Sequence, residues 1–162
     1  MAKIDLLIIG GGSAGMAAAI QAKKEGVNSL LIVEKDGQLG GILNQCIHHG
    51  FGLNEFKSEL TGPEYLSRFV EQVEQLEIPY LLNSLVINIT KDKKVTIQTP
   101  NGIFIYEAKA IVFATGCFER SAGAIKIPGD RPNGVITAGT AQKYLNIHGY
   151  LVGKKIVILG SG

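Results

Sequence analysis

The chain is poor in the features that mark secreted, fibrous or membrane proteins. Only two of its 162 residues are cysteine, Cys46 and Cys117, too few for a disulfide framework and suited to a reducing compartment. No apolar run approaches the ~18 residues of a membrane span. The N-terminus, with Lys3, Leu6-Leu7-Ile8-Ile9 and Ala17-Ala18-Ala19, imitates a signal peptide, but Asp5 and the glycines at 10–12 interrupt the apolar stretch. A cytoplasmic location is therefore expected. Charge of one sign is missing too: 16 Lys and Arg against 14 Asp and Glu leave +2. The densest basic cluster, Lys91-Asp92-Lys93-Lys94, reads as a solvated hairpin turn, so nucleic acid is not an expected partner. Disorder is excluded because 46% of residues are hydrophobic and only 19% charged.

Glycine is what the chain has in excess, 21 residues, nearly twice the usual share. The glycines cluster at 10–15, 37–41, 50–52 and the C-terminus instead of recurring every third residue, which excludes collagen. Clustered glycine means backbone that turns tightly or approaches something closely. Around the first cluster, Ile4 to Ile9 reads as a buried parallel strand, Ala14 to Lys24 as a helix stopped by Gly26, and Leu30 to Val33 as a second strand, together a βαβ unit. Residues 37–58 read as loop with a short helix. Thr61-Gly62-Pro63-Glu64 predicts a capping box for a helix that buries Tyr65, Leu66, Phe69, Val70, Val73 and Leu76 and ends at Pro79. Tyr80 to Leu82 reads as a third buried strand. Val86 to Thr90, Val95 to Thr99 and Ile103 to Tyr106 predict a three-stranded antiparallel meander, with Asn101-Gly102 as a hairpin signal. Ala110 to Ala114 predicts a further buried strand, residues 140–146 a short helix, and Lys155 to Leu159 a last strand. The expected fold is α/β, a doubly wound parallel sheet with the meander over one edge.

Gly10-x-Gly12-x-x-Gly15 joins the first strand to its helix, and Glu34 ends the second strand 19 residues later, the arrangement of a dinucleotide-binding fingerprint. Gly10 permits the turn, Gly12 lets backbone approach a pyrophosphate, Gly15 lets helix and strand pack closely, and the helix N-terminus attracts phosphate charge. The Glu34 carboxylate suits ribose hydroxyls and repels a 2′-phosphate, which favours FAD or NAD over NADP at this site. The segment Asp5 to Gly12 also aligns without gaps on Lys155 to Gly162, so a second glycine loop is expected to begin at Gly160 and Gly162.

The first loop with Glu34, the pair Gly40-Gly41, the meander, Ala114-Thr115-Gly116 and the second loop follow one another in an order that resembles the FAD-dependent pyridine-nucleotide oxidoreductases with two dinucleotide-binding domains, such as thioredoxin and glutathione reductases. The resemblance implies a Rossmann-like domain over 1–150 that binds FAD and the start of an NAD(P)H-binding domain over 151–162. It places Gly10, Gly12, Ser13, Ala14 and Gly15 at the pyrophosphate, Glu34 and Lys35 at the ribose, and Gly41 toward the flavin. Val86 would meet the adenine through backbone groups, and Ala114, Thr115 and Gly116 would close over the cofactor. The implied activity is hydride exchange between NAD(P)H and flavin, with electrons passed to a small-molecule substrate or a partner subunit, and self-association left open. The alternative is a non-catalytic flavin-binding or electron-transfer subunit. A plain NAD-binding Rossmann domain is disfavoured because the meander stands where a helical crossover belongs. An incomplete chain of this kind is expected to hold FAD weakly and to be inactive alone.

Gly40 to Cys46 departs from the glutathione reductase pattern, since the C-x4-C pair is reduced to Cys46, which argues against a disulfide reductase of that type. Gln45 to Gly52 and Leu60 to Glu64 look more like a branch linked to glycerol-3-phosphate oxidation and to amine, opine and proline dehydrogenase flavin subunits, as does the stretch from Ile127 to Gln142 with its Ile127-Pro128-Gly129-Asp130-Arg131-Pro132. Cys46, His48 and His49 are too few for zinc, with Cys117 and His148 distant in sequence, and no metal is expected. Cys46 or a neighbouring histidine is the weak candidate for a proton-handling group near the flavin, against ordinary packing; a Cys46–Cys117 redox pair is a further alternative. Glu119 and Arg120 read as solvated surface.

Overall fold

A computed structural model describes residues 2–130 and 132–160. Contacts divide the chain into two compact units, one ending at Gly116 and one beginning at Cys117.

The first unit is built on a six-stranded sheet. Strand β1 (Ala2–Ile9) pairs in parallel with β2 (Leu30–Val33), and β2 with the short β5 (Tyr80–Leu81). Helix α1 (Ser13–Lys24) makes the crossover. It stops as expected: Gly26 takes φ 90°, its N–H donates to Lys23 O at 3.1 Å and Val27 N–H to Ala22 O at 3.0 Å, a motif that satisfies the last carbonyls. The alternation of side chains along a strand explains why β2 is apolar throughout. Leu30 and Ile32 pack with Ile8, Met16 and Ile20 toward the helices. Leu31 and Val33 pack with Leu7 on the opposite face.

That opposite face is covered by the meander, β6 (Leu85–Ile89) and β7 (Lys94–Thr99), whose Val95 and Ile97 are fully buried there. The meander therefore extends the β8 edge of the sheet, as expected, and packs back over this face. Its third strand and the strand expected at 110–114 are one element, β8 (Gly102–Phe113). Residues 102–107 pair antiparallel with β7, and residues 106–113 pair in parallel with β1. Near Tyr106-Glu107 the strand exchanges one neighbour for the other, with no break between strands. Tyr80 is 37% exposed, so β5 is an edge strand and not the buried strand expected.

Helix α3 (Gly62–Gln75), which follows the short α2 (Leu53–Phe56), has the capping box read from Thr61 and Glu64. Thr61 N–H donates to Glu64 Oε2 at 2.7 Å. The helix buries Leu66, Phe69 and Val73 and ends before Pro79, through Glu77 in the left-handed region at φ 50°. Between Gly40 and Thr61 the expected loop is more ordered than foreseen. Gly41–Gln45 forms a single 3-10 turn, and β3 (His49–Phe51) pairs antiparallel with β4 (Leu60–Thr61).

In the second unit the one helix among the described residues is α4 (Ala138–Asn146). Thr140 N–H donates to Thr137 Oγ1 at 3.3 Å and Gly139 N–H to Glu119 Oε2 at 2.7 Å. Glu119 is thus a helix cap and not idle surface charge. Residues 155–159 pair with no strand among the described residues, and Val157, Ile158 and Leu159 are exposed. The strand expected there is absent because a buried parallel strand needs neighbours on both edges. None of the described residues from 117 to 160 is fully buried.

Candidate functional site

The glycine loop follows β1 directly. Gly10 holds φ 105° and its N–H donates to Val33 O at 2.9 Å. A side chain on Gly10 would strike the Ala114 carbonyl, and one on Gly15 would strike the Gly10 carbonyl. Two of the three glycines are therefore required by the chain's own close packing. Gly12 differs. It is extended, at φ −73° and ψ −177°, and a Cβ there would have nothing within 4 Å. No neighbour in the chain demands glycine at this position, so the open space above it is available to a ligand.

Gly12 is also the N-cap of α1, where it offers no side-chain cap, and the first turn, Ser13-Ala14-Gly15, holds no acid. The start of α3 is the opposite case, because there Glu64 fills the N-terminus. The Thr61 backbone N–H and hydroxyl hold the Glu64 carboxyl below its usual 4.5. Of these two helix N-termini, only that of α1 presents its amides and positive dipole end without an acidic partner of its own.

Glu34 is 5% exposed. Its Oε2 accepts from Gly11 N–H at 2.6 Å and its Oε1 from Asp36 N–H at 2.9 Å. Each oxygen retains a further lone pair for an external donor. The carboxylate is thus part of the loop's own framework, a role the spacing did not reveal. Gly40 completes the frame by donating to Gly11 O at 2.8 Å and bridging Gly12. A Cβ on Gly41 would sit 3.5 Å from Gly12 Cα.

Gly10, Gly12, Gly15, Glu34, Gly41 and Ala114, with Thr115-Gly116 next in sequence, are thus gathered where β1, β2 and β8 end. Ser13 and Ala14 form the first turn of α1. Lys35 is turned to Asp36, Nζ to Oδ2 3.1 Å, with both side chains about half exposed. Val86 lies in β6, two residues past Ser84, whose N–H donates to Glu34 O at 2.9 Å. Cys46 is held apart from the loop's hydrogen bonds: its Sγ donates to Ile42 O at 3.3 Å and its carbonyl accepts from Gly62 N–H at 2.9 Å. His48 and His49 are exposed on the β3 side, with His48 Nδ1 2.9 Å from His49 O. Both cysteines are free thiols, Cys46 in the first unit and Cys117 in the second. Among the described residues no group of three His, Cys, Asp or Glu side chains is gathered that would hold a metal ion, and no helix is long and apolar enough to cross a membrane. Gly160 takes φ 140°; Gly162, like Arg131, lies outside the described residues.

Known proteins are similar to this chain in sequence and fold. An opine oxidase subunit of Agrobacterium tumefaciens (strain Ach5) is 29% identical over 98% of this chain and 32% of its own length. Thioredoxin reductase of Ureaplasma parvum serovar 3 is 34% identical over 72% of this chain and 36% of its own. The chain thus spans about a third of either relative. Among solved structures, L-proline dehydrogenase from P. horikoshii superposes with a TM-score of 0.73 over 94% of this chain and 30% of that one, at 20% identity, a likeness of fold alone. Thioredoxin reductase from Streptococcus pyogenes MGAS5005 gives a TM-score of 0.59 at 30% identity, over 75% of this chain and 38% of that one. With the family's sequence profile matching residues 4–162, the chain belongs to the pyridine nucleotide-disulphide oxidoreductases, a family of flavoprotein oxidoreductases.

Proposed function

We propose that the chain holds the adenosine and pyrophosphate half of FAD in an oxidoreductase that exchanges hydride between NAD(P)H and flavin and passes electrons to another acceptor or subunit. The observation that carries this reading is Gly12: open backbone at an uncapped, acid-free helix N-terminus, next to the buried Glu34 carboxylate. Ser13, Ala14 and Gly15 supply amides for the pyrophosphate, and the spare lone pairs of Glu34 suit ribose hydroxyls. Gly41 and Ala114-Thr115-Gly116 lie toward the flavin side, Lys35 flanks the ribose, and Val86 offers backbone to the adenine. The flavin supplies the hydride chemistry when bound; these residues bind and orient it. The two-domain division, with an NAD(P)H loop opening at Gly160, belongs to the same reading.

The test is reconstitution. Protein carrying these residues and both dinucleotide-binding domains should take up FAD with a flavin absorbance spectrum, and Gly12→Val, whose Cβ has nothing within 4 Å, should abolish uptake while leaving the thermal midpoint nearly unchanged. Uptake undiminished in Gly12→Val would refute the site. A second reading, a non-catalytic electron-transfer subunit, is supported by relatives that are themselves named as subunits, one of opine oxidase and the alpha chain of sarcosine oxidase. Dye reduction by NADH or NADPH, measured on protein that includes both dinucleotide-binding domains, separates the two, since turnover favours the enzyme and silence the electron-transfer role.

A further inference from the structure

The turn between β5 and β6 brings one more polar side chain beside the Glu34 segment. Asn83 N–H donates to Asp36 O and Ser84 N–H to Glu34 O, both at 2.9 Å, so residues 83–84 run alongside 34–36. Asn83 holds φ 49°, a left-handed conformation that asparagine adopts more readily than most residues. In such turns the asparagine carboxamide commonly bonds nearby backbone. Here backbone bonds alone fix the turn, and the exposed carboxamide makes no hydrogen bond among the described residues. It lies against Gly37, where a Cβ would come 3.4 Å from Oδ1.

We propose that Asn83 is a specificity-determining residue that reads the adenine base of the dinucleotide; the proposal rests on the dinucleotide reading of the Glu34 site. On that reading, a base attached to a ribose at Glu34 would be carried within one sugar's length of residues 83–84, which the backbone bonds hold beside residues 34–36. A carboxamide pairs one acceptor with one donor, and adenine offers the complement, the N6 amine beside ring N7. Hypoxanthine replaces the amine with a carbonyl, which repels the carboxamide oxygen.

Calorimetric titration of the 162-residue chain with ADP and with IDP tests the proposal. The unaltered chain should bind ADP about five- to tenfold more tightly than IDP. Asn83→Gly keeps the positive φ and deletes the carboxamide; it should weaken ADP by that factor, leave IDP unchanged and make the two equal. A preference that survives in Asn83→Gly, an equal loss for both nucleotides, or no preference in the unaltered chain overturns the role of Asn83 and leaves the dinucleotide site standing. Failure of the unaltered chain to bind either nucleotide overturns both.

Discussion

At the residue scale, Glu34 joins structure to recognition. Its two oxygens hold Gly11 N–H and Asp36 N–H, so a buried carboxylate and two backbone donors are satisfied together. Glu34→Gln turns one acceptor into a donor facing an N–H. Chemical denaturation should register a loss of about 1–3 kcal/mol, whether or not nucleotide is present. Gly15→Ala drives a methyl into the Gly10 carbonyl and should cost about 1–3 kcal/mol, as overpacking does, with nucleotide binding lost as the loop shifts. An unchanged midpoint for Gly15→Ala would mean that α1 moves away from β1 freely. The tight turn at Gly10 and the close packing at Gly15 could be read from their spacing because each is a backbone constraint tied to chain position. The Gly11–Glu34 bond could not, since it depends on how a loop and a strand end meet across 23 residues. Gly40 and Gly62 were hidden for the same reason: their neighbours, Leu66 for the first and the Leu43 and Cys46 carbonyls for the second, come from other elements.

At the scale of elements, α3 carries strain at one end and a pH-sensitive cap at the other. Glu77 takes φ 50° where glycine would be unstrained, so Glu77→Gly should raise stability by about 0.5 kcal/mol, the relief of the left-handed strain less the greater freedom of glycine when unfolded. A lowered melting midpoint would contradict this. At the N-terminus the folded state holds the Glu64 carboxyl below 4.5. Its contribution is therefore present above that value and is lost as pH falls through the folded value. Urea midpoints measured from pH 6 down to pH 3 should fall less steeply in Glu64→Gln than in the unaltered chain. The capping box was legible because it is local, four residues in a row. The division of β8 between two neighbours was not, because the pattern from Ile103 to Phe113 changes with the partner strand and not with the strand itself.

At the scale of the molecule, the two units differ in how much they bury. The first has apolar layers on both faces of its sheet, whereas no described residue from 117 to 160 is fully buried. Amide hydrogen exchange should therefore find slow protons in β1, β2 and β8 and fast exchange throughout 117–160; slow exchange in α4 would contradict this. The parallel core, α1, α3 and the hairpins could be read from periodicity. In the second unit the helix could be read too, but not the state of residues 155–159, whose apolar run 156–159 carries a strand's composition without the neighbours that make a strand. The bipartite β8 has one more consequence, for the order of assembly. The hairpins β6–β7 and β7–β8 join residues close in sequence and can close early, while the edge of β1 opposite β2 waits for a partner roughly a hundred residues further on, the kind of non-local pairing that slows folding. During synthesis the glycine loop has no Ala114 carbonyl to rest against until residue 114 has been made, so the N-terminal loop is among the last parts of the first unit to be fixed.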